Sequence, residues 1–183
     1  MKRSDTRSKF KATLQIPRRT GGDDVWAFII LPRSVSAKLP RRGRTTVEGT
    51  INGQCFQVQL EPDGQRSHWL RIDCDLLKAS GVTPGQAAQF EISSLEKEPD
   101  PDVPSDLQKA LQGSAAALAT WQATTTVARV DWIHWIESAK QPKTRVKRIS
   151  DACEMLAEGK RRVCCFDPSG VYSKALKAPE AAD

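Results

Sequence analysis

The sequence predicts an α+β chain, with a small β-barrel in its first half and about three helices in its second. Residues 10–16 and 45–60 alternate apolar and polar side chains with a period of two, and Asn52-Gly53 interrupts the second stretch. Apolar residues between 107 and 156 recur instead at helical spacing. Between the two halves, residues 97–104 read Lys-Glu-Pro-Asp-Pro-Asp-Val-Pro. Three prolines and three acids in eight residues make a stiff, extended connector.

Each element has a local cause. Residues 1–9 are charged and read as a flexible start. In 10–16, Phe10, Ala12, Leu14 and Ile16 share one face of a strand. Residues 18–24, with Gly21-Gly22, read as a loop. Residues 25–31 are a continuous apolar run suited to a strand buried on both faces, and Pro32 stops it. Residues 34–39 suit a short helical turn. Residues 45–51 and 54–60 form a hairpin, because Asn-Gly supplies the positive φ angles of a type I′ turn. Glu61-Pro62-Asp63-Gly64 is a second turn. Residues 68–72 form a strand with His68 pointing outward, and 73–80 a short helix ended by Gly81. After the Pro84-Gly85 turn, 88–95 is the last strand. The barrel thus spans 10–96.

The helical domain spans 105–166. Ser105 caps a helix running to about 122, with Leu107, Ala110, Leu111, Leu118 and Trp121 inward and Gly113 weakening its middle. Thr126 caps a second, to Lys140, whose apolar set is Val130, Trp132, Ile133, Trp135 and Ile136. Pro142 separates it from a third, capped by Thr144, with Ile149, Ala152, Cys153 and Leu156 on one face and Gly159 closing it. Residues 163–166 read as a closing extended piece. Residues 167–183, rich in Ala, Lys and Pro, read as a disordered tail.

Composition narrows the setting. The 183 residues carry a net charge of +6. Residues 1–96 hold 15 Lys and Arg against 10 Asp and Glu, and 97–183 hold 13 against 12. Neither half has the density of a dedicated DNA-binding arm. The five cysteines are odd in number and form no Cys-x-x-Cys pair, which favours reduced thiols over a disulfide framework or a zinc site. No apolar run approaches the roughly 20 residues that span a bilayer. The charged start lacks the apolar core of a signal peptide. The expectation is a soluble cytoplasmic protein.

Two sets of residues resemble known families. Trp132-Ile133-x-Trp135-Ile136, Ala139-Lys140, Thr144-Arg145, Arg148-Ile149 and Met155-Leu156-Ala157-Glu158-Gly159-Lys160 resemble the YdeI/OmpD-associated, or bacteriocin-protection, family. That likeness covers roughly 105–162. The order of strands in the first half is similar to the double-split β-barrel domain of unknown function, whose fold is related to AbrB and MazE barrels. Residues 25–32, 47–53 and Gly81-Val82-Thr83-Pro84-Gly85 carry it. The usual acid after that last glycine is Gln86 here. The resemblance implies a link to bacteriocin tolerance or envelope proteins; it implies no reaction and no catalytic residues.

Candidate sites each have a structural alternative. Lys140, Thr144, Arg145, Arg148 and Lys160 surround the junction of the second and third helices, where cations and free helix N–H groups attract a carboxylate or phosphate. Alternatively, Arg145 and Arg148 pair with Asp131, Glu137 or Glu154 and fix the packing. Arg41, Arg42 and Arg44 suit phosphate, or are a solvated turn. Trp132 and Trp135 suit stacking on a ligand or base, or pack a core. His134, with Asp131 and Glu137 three residues away on either side, suits acid/base or metal chemistry, or is a solvent-facing stripe. Asp73 and Asp75 suit general acid/base chemistry, or cap a helix. No Walker loop, nucleophile elbow or dinucleotide fingerprint occurs. No metal or cofactor is called for. The reading is therefore a bacterial binding or stress-tolerance protein, not an enzyme, that recognises an anionic ligand, with nucleic acid among the candidates. Its alternatives are an enzyme with an interdomain site and an interaction module for an acidic protein partner.

Overall fold

The structure, a computed structural model, describes residues 7–18, 25–163 and 176–183. The chain divides into two compact units. The first contains the described residues up to Lys97 together with Leu176–Asp183; the second begins at Glu98.

The first unit holds six strands and two short helices: β1 (Ser8–Thr13), β2 (Ala27–Ile30), α1 (Arg33–Ser36), β3 (Thr45–Ile51), β4 (Gln54–Pro62), β5 (His68–Ile72), α2 (Cys74–Ser80) and β6 (Ala87–Ser94). They form one antiparallel sheet in the order β1-β6-β3-β4-β5-β2. The expected barrel is open. Its edge strands meet through one bridge, in which Gln15 and Phe28 exchange main-chain hydrogen bonds of 2.8 and 2.9 Å.

Period-two alternation builds the core. Phe10 stacks on its cross-strand partner Phe90, and Val47, Ile51, Leu60, Leu70, Ile72 and Ile92 pack on the same inner side. The hairpin turns at Asn52-Gly53, both with positive φ, as the sequence predicts. Asp73 caps α2, its carboxylate accepting from Leu76 N–H at 2.9 Å, which places it in the capping role. β1 begins at Ser8, inside the stretch expected to be flexible. The Gly21-Gly22 loop and residues 164–166 lie outside the described residues. So do 167–175, whereas 176–183, expected to be disordered, run against residues 16–18.

The second unit has four helices rather than three: α3 (Ser105–Gln112), α4 (Ala115–Ala123), α5 (Thr126–Glu137) and α6 (Pro142–Ala157). The expected first helix breaks after Gly113, where the Ser114 hydroxyl accepts from Ala117 N–H and starts α4 anew. All three expected caps of this unit shift by a residue or more. Ser105 is the first residue of α3 and does not cap it; Pro104 precedes it with no side-chain cap bond. Thr125, not Thr126, caps α5. α6 starts at Pro142, not after Thr144, because proline's fixed φ and missing N–H suit the first helical position. Leu107, Leu111, Ala117, Trp121, Trp132, Ile133, Ile136, Ile149, Ala152 and Leu156 make its core. No helix among the described residues is long and apolar enough to cross a membrane.

Gly49 lies where β3 passes close to the backbone of β6. A Cβ there would collide with the main-chain carbonyl oxygen of Glu91, which has no freedom to move within the ladder. Gly49→Ala is expected to lower unfolding free energy by about 3 kcal/mol, the upper end for overpacking. Urea unfolding followed by tryptophan fluorescence checks this.

Candidate functional site

The structure divides the cations of the α5–α6 junction by role. Arg145, in the first turns of α6, forms a bidentate pair with Asp106 of α3, with Nε and Nη2 at 2.7 and 3.0 Å from the two carboxylate oxygens. The acid is none of the three the sequence suggested. The pairing holds the Asp106 carboxyl below its usual value and raises the Arg145 guanidinium. Arg148 turns to α5: its Nη1 donates to the Trp135 carbonyl and, at 2.8 Å, to the Ser138 hydroxyl. Its guanidinium also lies over the Trp135 ring, 5.3 Å from the centroid. Arg148 thereby satisfies carbonyl and hydroxyl groups at the C-terminal end of α5. Lys160 pairs with Glu158 at 2.8 Å. Lys140 is exposed and Thr144 half-buried.

Trp132 and Trp135 are buried, edge to face at 6.0 Å, and the Trp132 indole donates to the Arg161 carbonyl at 3.3 Å. His134 is buried, contrary to its expected place on a solvent-facing stripe. Among the described residues, no group of three or more His, Cys, Asp or Glu is placed to hold a metal. Cys55, Cys74 and Cys153 are free thiols, and burial pushes the Cys153 thiol up.

His68, expected to point outward, is also buried. The error is one of face: His68 alternates with the inward Leu70 and Ile72, not with the exposed Arg71, and α1 and the segment after it lie over this end of β5. Nε2 lies 3.0 Å from the Gly43 carbonyl and Nδ1 2.7 Å from the Ser36 hydroxyl. A carbonyl only accepts, so Nε2 carries the proton and Nδ1 accepts from Ser36. The imidazole thus fastens both ends of residues 36–43. Within 33–44 lie Arg33, Lys38, Arg41, Arg42 and Arg44, and no acid. Arg44 pairs with Glu61 at 2.9 Å. Arg33, Lys38 and Arg42 are exposed.

The outer face of β1, β6, β3 and β4 carries a groove of about 540 Å³. The register lays Ser93, Glu48 and Gln57 in one row and Lys9, Glu91, Thr50 and Cys55 in the next. Arg7 and Lys9 both reach Glu91 at 3.2 Å. Among the described residues that line the groove, Cys55 is the only thiol, and Arg7, Glu48 and Glu91 are the charged ones.

Residues 100–159 match the family model described as Bacteriocin-protection, YdeI or OmpD-Associated. The chain carries a YdeI/OmpD-associated domain. Residues 10–92 match the model described as Domain of unknown function (DUF1905). No curated protein matches the chain. In this YdeI/OmpD-associated segment, Arg145 and Arg148 are engaged within the protein, and Lys140 remains at the surface.

Two outcomes follow. Arg148→Ala is expected to lower stability by about 2 kcal/mol, the scale of hydrogen bonds from a charged donor. Lys140→Ala is expected to change it by less than about 0.5 kcal/mol. Paired urea titrations decide this. Separately, burial lowers the His68 pKa below 6.5, with Gly43 and Asp63 opposing and Arg41 reinforcing the shift. The unfolded chain therefore takes up a proton at His68 before the folded one does. This contribution to stability is fully present above pH 6.5 and falls as pH drops below it. NMR titration of the imidazole, with melting curves across pH 5–8, measures both.

Proposed function

We propose that the protein is a non-catalytic binding protein of the bacteriocin-protection kind that recognises a polyanion through residues 33–44. The observation that supports this reading is an acid-free stretch with five cations, fastened at Ser36 and Gly43 by one buried imidazole. Fixing the backbone beforehand reduces the conformational entropy lost on binding. Exposed cations on such a segment meet successive phosphates without having to order the loop. The α5–α6 junction contributes less to this reading, because Arg145 and Arg148 already serve helix packing.

A labelled single-stranded oligonucleotide is the probe. Affinity is expected to fall linearly on a log–log plot against salt. Replacing Arg33, Lys38 and Arg42 together by Ala should flatten that slope by about three phosphate contacts. Absence of binding at roughly 50 mM salt, or an unchanged slope in the triple variant, overturns the proposal.

A further inference from the structure

β1 loses its neighbour just before residue 15. Thr13 pairs with Ala87 at the start of β6. Leu14 then accepts from Gly85 N–H at 2.7 Å and donates to the Gln86 carbonyl at 2.9 Å. Beyond Leu14, β6 supplies nothing. On one side, Gln15 turns to Phe28. On the other, the Ile16 carbonyl and Arg18 N–H would be left at an open edge.

The 176–183 segment takes that edge. Arg18 N–H donates to the Glu180 carbonyl and Ala182 N–H donates to the Ile16 carbonyl, both at 2.7 Å. These bonds flank the antiparallel bridge between Pro17 and Ala181. Proline has no N–H to give, but in this pairing its neighbours make the bonds, so no donor is missing. The start of the segment rests on Gly64, where a Cβ would collide with the Leu176 carbonyl. Side chains add little hold: Glu180, Ala181 and Ala182 are exposed, and Ile16 is 49% exposed. The register sets Glu180 opposite Arg18, an acid across from a cation. The segment lies outside both family matches.

An attachment made mainly by main-chain groups can be made by any extended strand of suitable size and charge. We infer that the Ile16 and Arg18 main-chain groups form a strand-capture site for an extended peptide of small and acidic residues, with 176–183 as its intramolecular occupant. Covalent linkage gives that occupant an effective concentration of roughly millimolar order, so a partner in trans competes against it. This inference is independent of the polyanion reading, since it uses neutral main-chain groups on a different edge.

The full chain bearing Ala182→Pro lacks the N–H that bonds Ile16. A fluorescent peptide, Leu-Lys-Ala-Pro-Glu-Ala-Ala-Asp, is titrated into it and into the unsubstituted chain, with anisotropy as readout. The variant is expected to bind at least about ten-fold more tightly. The same peptide with proline at its seventh position should not bind. A chain ending at Pro179 opens the edge without any substitution and must behave like the variant. Equal binding to opened and unopened chains, or no binding to either opened form, overturns the inference.

Discussion

The first unit is organised by the need of every main-chain donor and acceptor in residues 13–18 for a partner. A strand that simply ended at Thr13 would leave the main-chain groups beside the buried Leu14 and Pro17 without protein partners. The chain meets the requirement with three neighbours in succession: β6, then Phe28, then the 176–183 segment. The second of these neighbours, Phe28 of β2, joins the two edges of the sheet at one bridge. The same switching explains why the barrel is open. One residue pair cannot supply the ladder that closure demands.

In the second unit, electrostatics set the packing. Arg145, Lys147 and Arg148 lie in the first half of α6, where the helix dipole disfavours cations. Two of the three are compensated from other helices. Asp106 approaches Arg145 from α3, and the carbonyl end of α5 approaches Arg148. Lys147 is compensated within α6 by Asp151. An unfavourable local placement therefore ties α6 to two neighbours. Neither tie is strong alone, since Arg145 and Asp106 are both partly exposed. Arg148 has the better geometry, combining two hydrogen bonds with the face of a buried ring.

Much of the architecture was legible in the sequence because local signals and packing agree. The Asn52-Gly53 hairpin, the Asp73 cap with Gly81 closing α2, and the apolar face of α6 follow from short-range rules. What was not legible depends on distant parts of the chain. The partner of Arg145 is 39 residues away, and no helical spacing points to Asp106. His68 alternates with the inward Leu70 and Ile72, a face the strand pattern did offer, but its ring partners Ser36 and Gly43 are 32 and 25 residues away. The docking of 176–183 was hidden for a related reason. Apart from Leu176 its side chains are small or charged, and its hold is mainly main-chain, which no side-chain pattern reports. The break at Gly113 was half visible: the glycine weakens a helix, but the Ser114 hydroxyl is what restarts one.

The basic segment of the first unit and its imidazole anchor depend on each other. A loop of cations tends to spread, because like charges repel and water solvates each of them well. Residues 33–44 are held regardless, through one imidazole whose two nitrogens reach Ser36 and Gly43. That arrangement requires a neutral ring with its proton on Nε2. A second proton, on Nδ1, would take away the acceptor for the Ser36 hydroxyl and add a charge beside Arg41 in a dry environment. Burial keeps the ring neutral, and the neutral ring keeps the loop in place. The basic segment is thus anchored for the same reason that its anchor resists protonation.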